Sequence, residues 1–341
     1  MNFEFLNTEE YAFLKQPEFQ KYLMLLTIGG SHAYGMNVDT PEHTSDIDLR
    51  GILFHSKEEI LRMEPCMMYT DDHTDTTLYG FHKIVHLFQE CNPNTLELLG
   101  CRKEDYAYIH PMGELLLQNK DAFLSKRAIF SFGNYAEAQL HRLRNALARD
   151  SESQRMKEEG ILKSVNSAIR NLNNRYRGID GTNLHVYIDT SEKEDRDTEV
   201  FIDINLQHCP LRSLNSLQNE LVSIPRSYDK VNHRNRKKDA THLNKHAAHL
   251  VRLILMLHDL LRTGEIITYR EKDRELLLDI RNGRFMLEDG TYDPEFFKMV
   301  DDLTKTSEEL AKTTKLPDQP DHKRILDLIL TINAYALEID N

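Results

Sequence analysis

The feature that most constrains this chain is a pair of apolar runs joined by a glycine turn and a polar loop. The first run reads LMLLTI and ends at Gly29 and Gly30, and the second, at residues 47–54, reads IDLRGILF. Short apolar runs bounded by turn residues predict two buried strands. A third predicted strand at residues 76–79 leads into FHKIVHLFQE, which carries apolar residues at helical spacing. We therefore expect an α/β region at the start of the chain.

The rest of the chain is dominated by helical patterns. The longest, THLNKHAAHLVRLILMLHDLLRTG, places its apolar side chains on one helical face, and Thr241 and Gly264 are typical of helix ends. Two β-rich stretches, LHVYI and EVFIDINL, flank a charged loop and predict a hairpin. We predict an α/β domain at residues 1–125 and a mainly helical domain at residues 126–341, with the hairpin inserted in it.

Composition narrows the class of protein. The 341 residues carry a formal net charge of −12 and are 40% hydrophobic, which allows a sizeable core. Any contact with nucleic acid must then come from a local basic patch. No apolar stretch approaches the ~20 residues that cross a bilayer, and the first residues do not resemble a signal peptide. Four cysteines without paired spacing predict reduced thiols. We expect a cytoplasmic protein with no membrane partner.

Asp46 and Asp48 stand at the start of the second apolar run, where we predict a strand. Side chains two residues apart on a strand point to the same side, so the two carboxylates would repel unless a cation lay between them. Hard oxygen ligands suit Mg²⁺ or Mn²⁺. A magnesium ion held by one or two carboxylates usually also binds substrate phosphates. The pair therefore predicts a metal site for phosphoryl or nucleotidyl transfer.

The turn before this pair suits an anionic ligand. Gly30 has no side chain, so backbone N–H groups can approach a ligand closely, and the Ser31 hydroxyl adds a donor. A helix that begins at Ser31 or His32 would direct its positive end at a phosphate. Either motif alone is common in turns and solvated loops. The ordered combination of strand, Gly-Gly-Ser, loop and Asp-x-Asp is much more specific.

The stretch GGSHAYGMNVDTPEHTSDIDLRG resembles the signature of the DNA polymerase beta nucleotidyltransferase superfamily and, more narrowly, its RNA-repair-pathway family. DTTLYGFHKIVHLFQECNPNTLELL and KHAAHLVRLILMLHDLLRTGEI are similar to further parts of that family. The resemblance implies a core with a small mixed sheet, followed by a mainly helical domain. It also implies a metal-dependent enzyme that moves a nucleoside monophosphate from a nucleoside triphosphate to a hydroxyl group and releases pyrophosphate, and the acceptor that we expect is an RNA end.

The resemblance implies a third carboxylate on a neighbouring strand, which helps to hold the catalytic metal and activates the attacking hydroxyl. Asp75 is the favoured position, because it precedes a predicted strand that could pair beside Asp48. The predicted catalytic and metal-binding residues are thus Asp46, Asp48 and Asp75. The alternatives for the third position are Asp71, Asp72 and Asp203.

A helical lysine often reaches the triphosphate in this superfamily, which points to Lys245 in the longest predicted helix. Together with Gly30 and Ser31, it completes the predicted nucleotide-binding set. Nearby, His242, His246 and His249 have the spacing of one helical face. We interpret these histidines as stacking, phosphate-contacting or core-packing residues rather than as a metal site.

The densest basic run lies at residues 229–242 and reads DKVNHRNRKKDATH. Such a run on an acidic protein predicts contact with an RNA backbone or with nucleotide phosphates. A solvated charged loop is the alternative interpretation. The predicted RNA-binding residues are Arg234, Arg236, Lys237 and Lys238.

Two other functions fit the same motifs. One is a protein-modifying, AMPylating nucleotidyltransferase of the toxin–antitoxin type, which shares the three acidic positions. The other is a non-catalytic nucleotide-binding or RNA-binding module. The presence of Asp46 and Asp48 together with Gly30 and Ser31 argues against this second alternative.

Overall fold

The computed structural model describes residues 3–37, 39–40, 43–150, 184–190, 198–204, 240–288 and 290–339. The chain forms two compact units, one of residues 1–141 with 244–341 and one of residues 142–243. The predicted domain boundary at residues 125–126 stays a prediction.

Nine strands occur in the described residues, and five of them form one sheet. They are β1 Leu23–Ile28, β2 Asp39–Thr40, β3 His43–Thr44, β4 Leu49–Leu53, β5 Met68–Asp71, β6 Thr76–Gly80, β7 Tyr106–Ile109, β8 Leu184–Thr190 and β9 Thr198–Ile204. The five-stranded sheet has the order β5-β6-β4-β1-β7. β4 and β6 are parallel, whereas β1 is antiparallel to both of its neighbours. The predicted small mixed sheet is confirmed.

Helices make up most of the described C-terminal region, as predicted. The α-helices are α1 Pro17–Tyr22, α2 Gly30–Tyr34, α3 Lys57–Arg62, α4 Phe81–Gln89, α5 Pro93–Leu96, α6 Pro111–Gln118, α7 Arg127–Asp150, α8 Ala240–Thr263, α9 Arg274–Arg281, α10 Pro294–Thr313 and α11 His322–Ile339. The 3-10 helices are Glu4–Asn7, Glu9–Lys15, Glu97–Leu99, Lys103–Asp105 and Lys120–Phe123. None of these helices is long and apolar enough to cross a membrane.

Both faces of the five-stranded sheet are buried. Leu25 of β1 shares one core cluster with Leu257 of α8 and Ile332 of α11. Leu26, its neighbour, belongs to a second cluster with Tyr11 from the N-terminal segment. Because successive strand residues point to opposite faces, burial on both faces favours a mostly apolar run, which β1 provides.

The predicted hairpin is confirmed in the second unit. β8 and β9 pair antiparallel from Leu184 opposite Ile204 to Thr190 opposite Thr198. The charged loop between these strands lies outside the described residues.

The strand predicted at residues 47–54 is shorter than expected, because β4 begins at Leu49. The prediction that Asp46 and Asp48 lie on this strand is therefore wrong. The reason is found in the partner strand, since β1 ends at Ile28 opposite Leu49. Beyond that pair the backbone turns into α2, and a single bond from the Gly29 N–H to the Asp48 carbonyl oxygen (2.8 Å) extends the pairing. Both aspartates thus lie on the extended segment that leads into β4.

Candidate functional site

A cavity of about 240 Å³ lies within the first unit and brings together residues from both ends of the chain. Four predicted site residues line it, namely Ser31, Asp46, Asp48 and Lys245. The remaining lining residues are Tyr34, Met36, Ser45, Ala248, His249, Arg252 and Arg281. The cavity therefore joins the glycine turn and the Asp-x-Asp segment to one face of α8.

Gly30 is required by a close approach as well as by its backbone conformation. Its φ of +56° lies in the left-handed region, which favours glycine. A Cβ atom at this position would overlap the carboxylate of Asp48. The predicted nucleotide-binding glycine thus leaves room for the predicted metal ligand beside it. From here α2 carries Ser31 and Tyr34 to the cavity wall and is capped by Gly35.

Asp46 and Asp48, which we call the acidic wall, differ in exposure. Asp46 is exposed, whereas Asp48 is half-buried and forms an ion pair with Arg50, with its Oδ1 2.9 Å from the guanidinium Nη2. Burial raises the pKa of the Asp48 carboxyl, the Arg50 charge opposes this shift, and the charges of Asp75 and Asp46 add to it. The ion pair with Arg50 therefore neutralises the acidic wall only in part.

The pairing of β4 with β6 places the backbone of Asp75 next to the start of β4, close to the acidic wall. It directly precedes β6, and its carbonyl oxygen accepts hydrogen bonds from the Leu49 N–H (3.2 Å) and from Arg50 Nη1 (2.7 Å). Its side chain is exposed and does not line the cavity. Among the alternatives, Asp71 accepts a hydrogen bond from the Thr74 hydroxyl (2.6 Å). Asp72 is exposed in the turn that follows, and Asp203 lies on β9 in the other compact unit.

The described residues contain no group of three or more His, Cys, Asp or Glu side chains arranged to hold a metal ion. The donor chemistry of the acidic wall nevertheless fits Mg²⁺, because two carboxylates with further oxygens from phosphate and water are its usual ligands. The negative charge of Asp75 raises the pKa of Asp48. A bound cation would offset this repulsion between the carboxylates.

Three of the lining residues, Tyr34, His249 and Arg252, form a cluster with Glu97, which does not itself line the cavity; we call these four residues the buried cluster. The Tyr34 hydroxyl donates to Glu97 Oε2 (2.6 Å), and Arg252 Nη1 lies 3.4 Å from the same oxygen. The Arg252 guanidinium lies 3.5 Å from the centre of the Tyr34 ring. The exposed fractions of the Arg252 and Glu97 side chains are only 3% and 8%. These charges therefore have partners and little contact with water.

Arg252 also determines which nitrogen of His249 carries a proton. Its Nη2 lies 2.9 Å from His249 Nδ1, and a guanidinium can only donate, so Nδ1 is the acceptor. The proton of the neutral ring therefore resides on Nε2. Burial raises the pKa of the Tyr34 phenol well above its usual range, which keeps that hydroxyl a donor to Glu97.

Of the buried cluster, the sequence analysis named only His249; it missed the other three members and Arg281. The sequence held a usable signal for two members of the buried cluster, His249 and Arg252. Together with Lys245 they follow one another at intervals of four and three residues on α8, where most neighbours are apolar. Two of the three histidines that we placed on one helical face have different surroundings. His249 lines the cavity, whereas His246 Nδ1 lies 3.3 Å from Gln139 Oε1.

The predicted RNA-binding residues Arg234, Arg236, Lys237 and Lys238 lie outside the described residues. Their role stays a prediction.

A model of the RNA repair pathway DNA polymerase beta family matches residues 12–331 of the chain. The matched range contains the glycine turn, the acidic wall, the buried cluster and Lys245. No curated protein and no solved structure matches the chain significantly.

Proposed function

Because the chain belongs to the RNA repair pathway DNA polymerase beta family, we propose that it is a metal-dependent nucleotidyltransferase. It moves a nucleoside monophosphate from a nucleoside triphosphate to a hydroxyl acceptor and releases pyrophosphate. One observation carries the proposal, namely that Ser31, Asp46, Asp48 and Lys245 line the same cavity. Their chemistry combines anionic oxygen ligands for a cation with donors for phosphate oxygens.

Asp46 and Asp48 would hold Mg²⁺ or Mn²⁺, with Asp75 as the favoured third carboxylate. The bound cation would supply charge stabilisation at the α-phosphate and lower the pKa of the acceptor hydroxyl. Arg50 positions Asp48, because it binds both the carboxylate of that residue and the carbonyl oxygen of Asp75.

Ser31 and Lys245 would bind the triphosphate from two sides of the cavity. The Ser31 hydroxyl donates one hydrogen bond to a phosphate oxygen, while the Lys245 ammonium provides a mobile positive charge. Lys245 is exposed and lines the cavity from α8, so its side chain can follow a ligand without loss of a structural contact. Tyr34 and Arg252 stack on each other beside it and form an ordered surface on this side.

The acceptor that we propose is an RNA end, on the strength of the family's assignment to an RNA repair pathway. The test is incubation of the purified protein with each of the four α-labelled nucleoside triphosphates and Mg²⁺. Pooled cellular RNA is the acceptor in one arm and pooled cellular protein in the other. We expect label on RNA, dependent on Mg²⁺ and absent in the Asp46→Asn variant.

Label on protein alone would contradict the RNA proposal and support a protein-modifying enzyme. Triphosphate binding without transfer in either arm would support the non-catalytic alternative. No binding and no turnover of any of the four triphosphates would overturn the proposed function as a whole.

A further inference from the structure

Several buried or half-buried arginines of the first unit are neutralised by carboxylates. Arg252 lies beside Glu97, Arg270 beside Asp259, and Arg50 beside Asp48. Arg281 differs from these, although it is half-buried as well. No carboxylate of the described residues lies within 4.0 Å of its guanidinium. Its charge is therefore only partly shielded by water and is not balanced by an acid.

The position of Arg281 is determined by hydrogen bonds to the segment that follows the glycine turn. It is the last residue of α9, and its Nη1 donates to the Met36 carbonyl oxygen (2.6 Å). The Met36 N–H in turn donates to the Ser31 carbonyl oxygen (2.8 Å). At the start of α9, Arg274 Nε donates to the Gly35 carbonyl oxygen (2.7 Å). The two arginine bonds tie α9 to the segment at residues 35–36, and the Met36 N–H bond links that segment to Ser31.

Arg281 lines the cavity together with Ser31 and Lys245. A guanidinium has five N–H donors, and the Met36 carbonyl oxygen accepts from one nitrogen only. Burial lowers the pKa of Arg281, because the charged form has lost part of its hydration. An anion in the cavity would offset that loss and use the remaining donors, and a planar guanidinium binds phosphate oxygens in pairs.

We propose that Arg281 binds phosphate oxygens of the nucleoside triphosphate, as a second cationic contact beside Lys245. The inference rests on the proposed function, since it names a residue for the triphosphate of that reaction. Its position differs from that of Lys245 in one respect. The Met36 contact holds the Arg281 guanidinium in place before the ligand arrives, so little side-chain entropy is lost on binding.

Inorganic tripolyphosphate is a suitable probe, because it contains the phosphate chain but no base whose identity must be known. Its affinity in Mg²⁺ would be measured by calorimetry for the wild type, Arg281→Gln, Arg281→Lys and Arg284→Gln. Arg284 is the matched control, because it lies three residues further on, is exposed, and pairs with Asp279. The glutamine amide ends two bonds short of the arginine Nη atoms, so Arg281→Gln removes the Met36 contact together with the charge, whereas Arg281→Lys keeps a positive charge on a longer side chain.

We expect Arg281→Gln to weaken tripolyphosphate binding by about 10- to 100-fold, as the loss of charge-assisted hydrogen bonds implies. Arg281→Lys should retain part of that affinity, and Arg284→Gln should bind as the wild type does. The same losses should appear with a mixture of the four nucleoside triphosphates. Thermal unfolding of each variant shows whether the fold is retained, and Arg281→Lys carries the test if Arg281→Gln fails to fold.

Wild-type affinity in Arg281→Gln would overturn the inference and leave the proposed function standing. Equal losses for tripolyphosphate and for the unphosphorylated nucleosides would also overturn it, because such losses indicate a distorted cavity. A loss confined to RNA affinity in a filter-binding assay would assign the contact to the acceptor instead. If the wild type binds neither tripolyphosphate nor any nucleoside triphosphate, the proposed function falls first and the inference falls with it.

Discussion

The acidic wall and the buried cluster border the same cavity but differ in how far their charges are neutralised. In the buried cluster, Glu97 and Arg252 neutralise each other almost out of contact with water. In the acidic wall, Asp48 has one cationic partner and two further carboxylates close enough to raise its pKa. Paired buried charges hold the helices to the turn, whereas incompletely neutralised carboxylates beside a cavity cost stability and remain available to a cation.

The largest expected effect on stability comes from removing one charge of the buried cluster. We expect Glu97→Gln to lower the free energy of unfolding by about 3–5 kcal/mol, because it leaves the Arg252 charge buried without its counter-ion. Denaturant unfolding measures the change. The control is Glu90→Gln, which breaks the exposed ion pair with Arg127 and should cost at most about 1 kcal/mol. Similar losses in both variants would show that the buried cluster has no special structural role.

The stability of the fold should fall at low pH because of a second buried group, the His55 ring, which does not line the cavity. His55 is 1% exposed, and its Nε2 accepts a hydrogen bond from the His82 N–H (3.1 Å). Burial, with the nearby His82 charge, lowers the pKa of His55 to about 4, and Glu59 opposes that shift. The neutral form is thus favoured in the fold. The associated stability is complete above the unfolded pKa of about 6.5 and is lost as the pH falls towards the folded value.

Denaturant unfolding at pH 7 and pH 4.5 measures this loss, which we expect to be at most about 3 kcal/mol. His55→Gln should remove that part of the pH dependence. Asp48 should contribute with the opposite sign, because its pKa is raised and its stability contribution is lost as the pH rises. An unchanged pH dependence in His55→Gln would contradict the assignment of the neutral form.

A smaller effect is expected at the ligand side of the cavity. Ser31→Ala should weaken triphosphate binding by about 1.5–3 kcal/mol, the value of one hydrogen bond to a charged group. Backbone donors of the turn remain, so binding should not be abolished. The free energy of unfolding should change little, because Ser31 is only half-buried. A calorimetric titration that gives the wild-type affinity would count against a phosphate contact at this residue.

The smallest effect on the cavity itself is expected from the basic run. Replacing Arg234, Arg236, Lys237 and Lys238 by serine should leave triphosphate affinity unchanged. RNA binding should weaken for all RNA sequences. A plot of the logarithm of the RNA-binding constant against the logarithm of the salt concentration should have a slope whose magnitude is smaller by about 3–4. Filter binding over a range of salt concentrations tests this. An identical slope for both proteins would identify the run as a solvated loop.

The parts of the site that could be predicted depend on neighbours in sequence. β1 was predicted with its bounds, because a buried strand leaves a mostly apolar run between turn residues. Gly30, Ser31 and the acidic wall were found because turn and ligand residues follow one another within a short segment. The first residue of β4 was predicted wrongly, because it depends on where the partner strand β1 ends. The residues of the second apolar run contain no information about that end.

The buried cluster could not be predicted for a different reason. Tyr34 is 63 residues from Glu97, and Glu97 is 155 residues from Arg252. Each residue alone looks like an ordinary surface or packing residue, and only the fold makes them partners. Arg281 illustrates the same limit, since its contact with Met36 spans 245 residues. Local patterns indicate the chemistry of a turn, but not which distant helix completes the cavity.

The central claim is that the acidic wall binds the catalytic metal and does not serve to hold the fold together. The measurement is transfer of label from an α-labelled nucleoside triphosphate in Mg²⁺ by the wild type and by Asp48→Asn, with the free energy of unfolding of each metal-free protein. We predict a loss of transfer of at least about 100-fold, since an amide nitrogen cannot replace an anionic oxygen on Mg²⁺. The metal-free variant should be as stable as the wild type or slightly more stable, because carboxylate repulsion falls. Unaltered transfer by a folded Asp48→Asn protein would contradict the account.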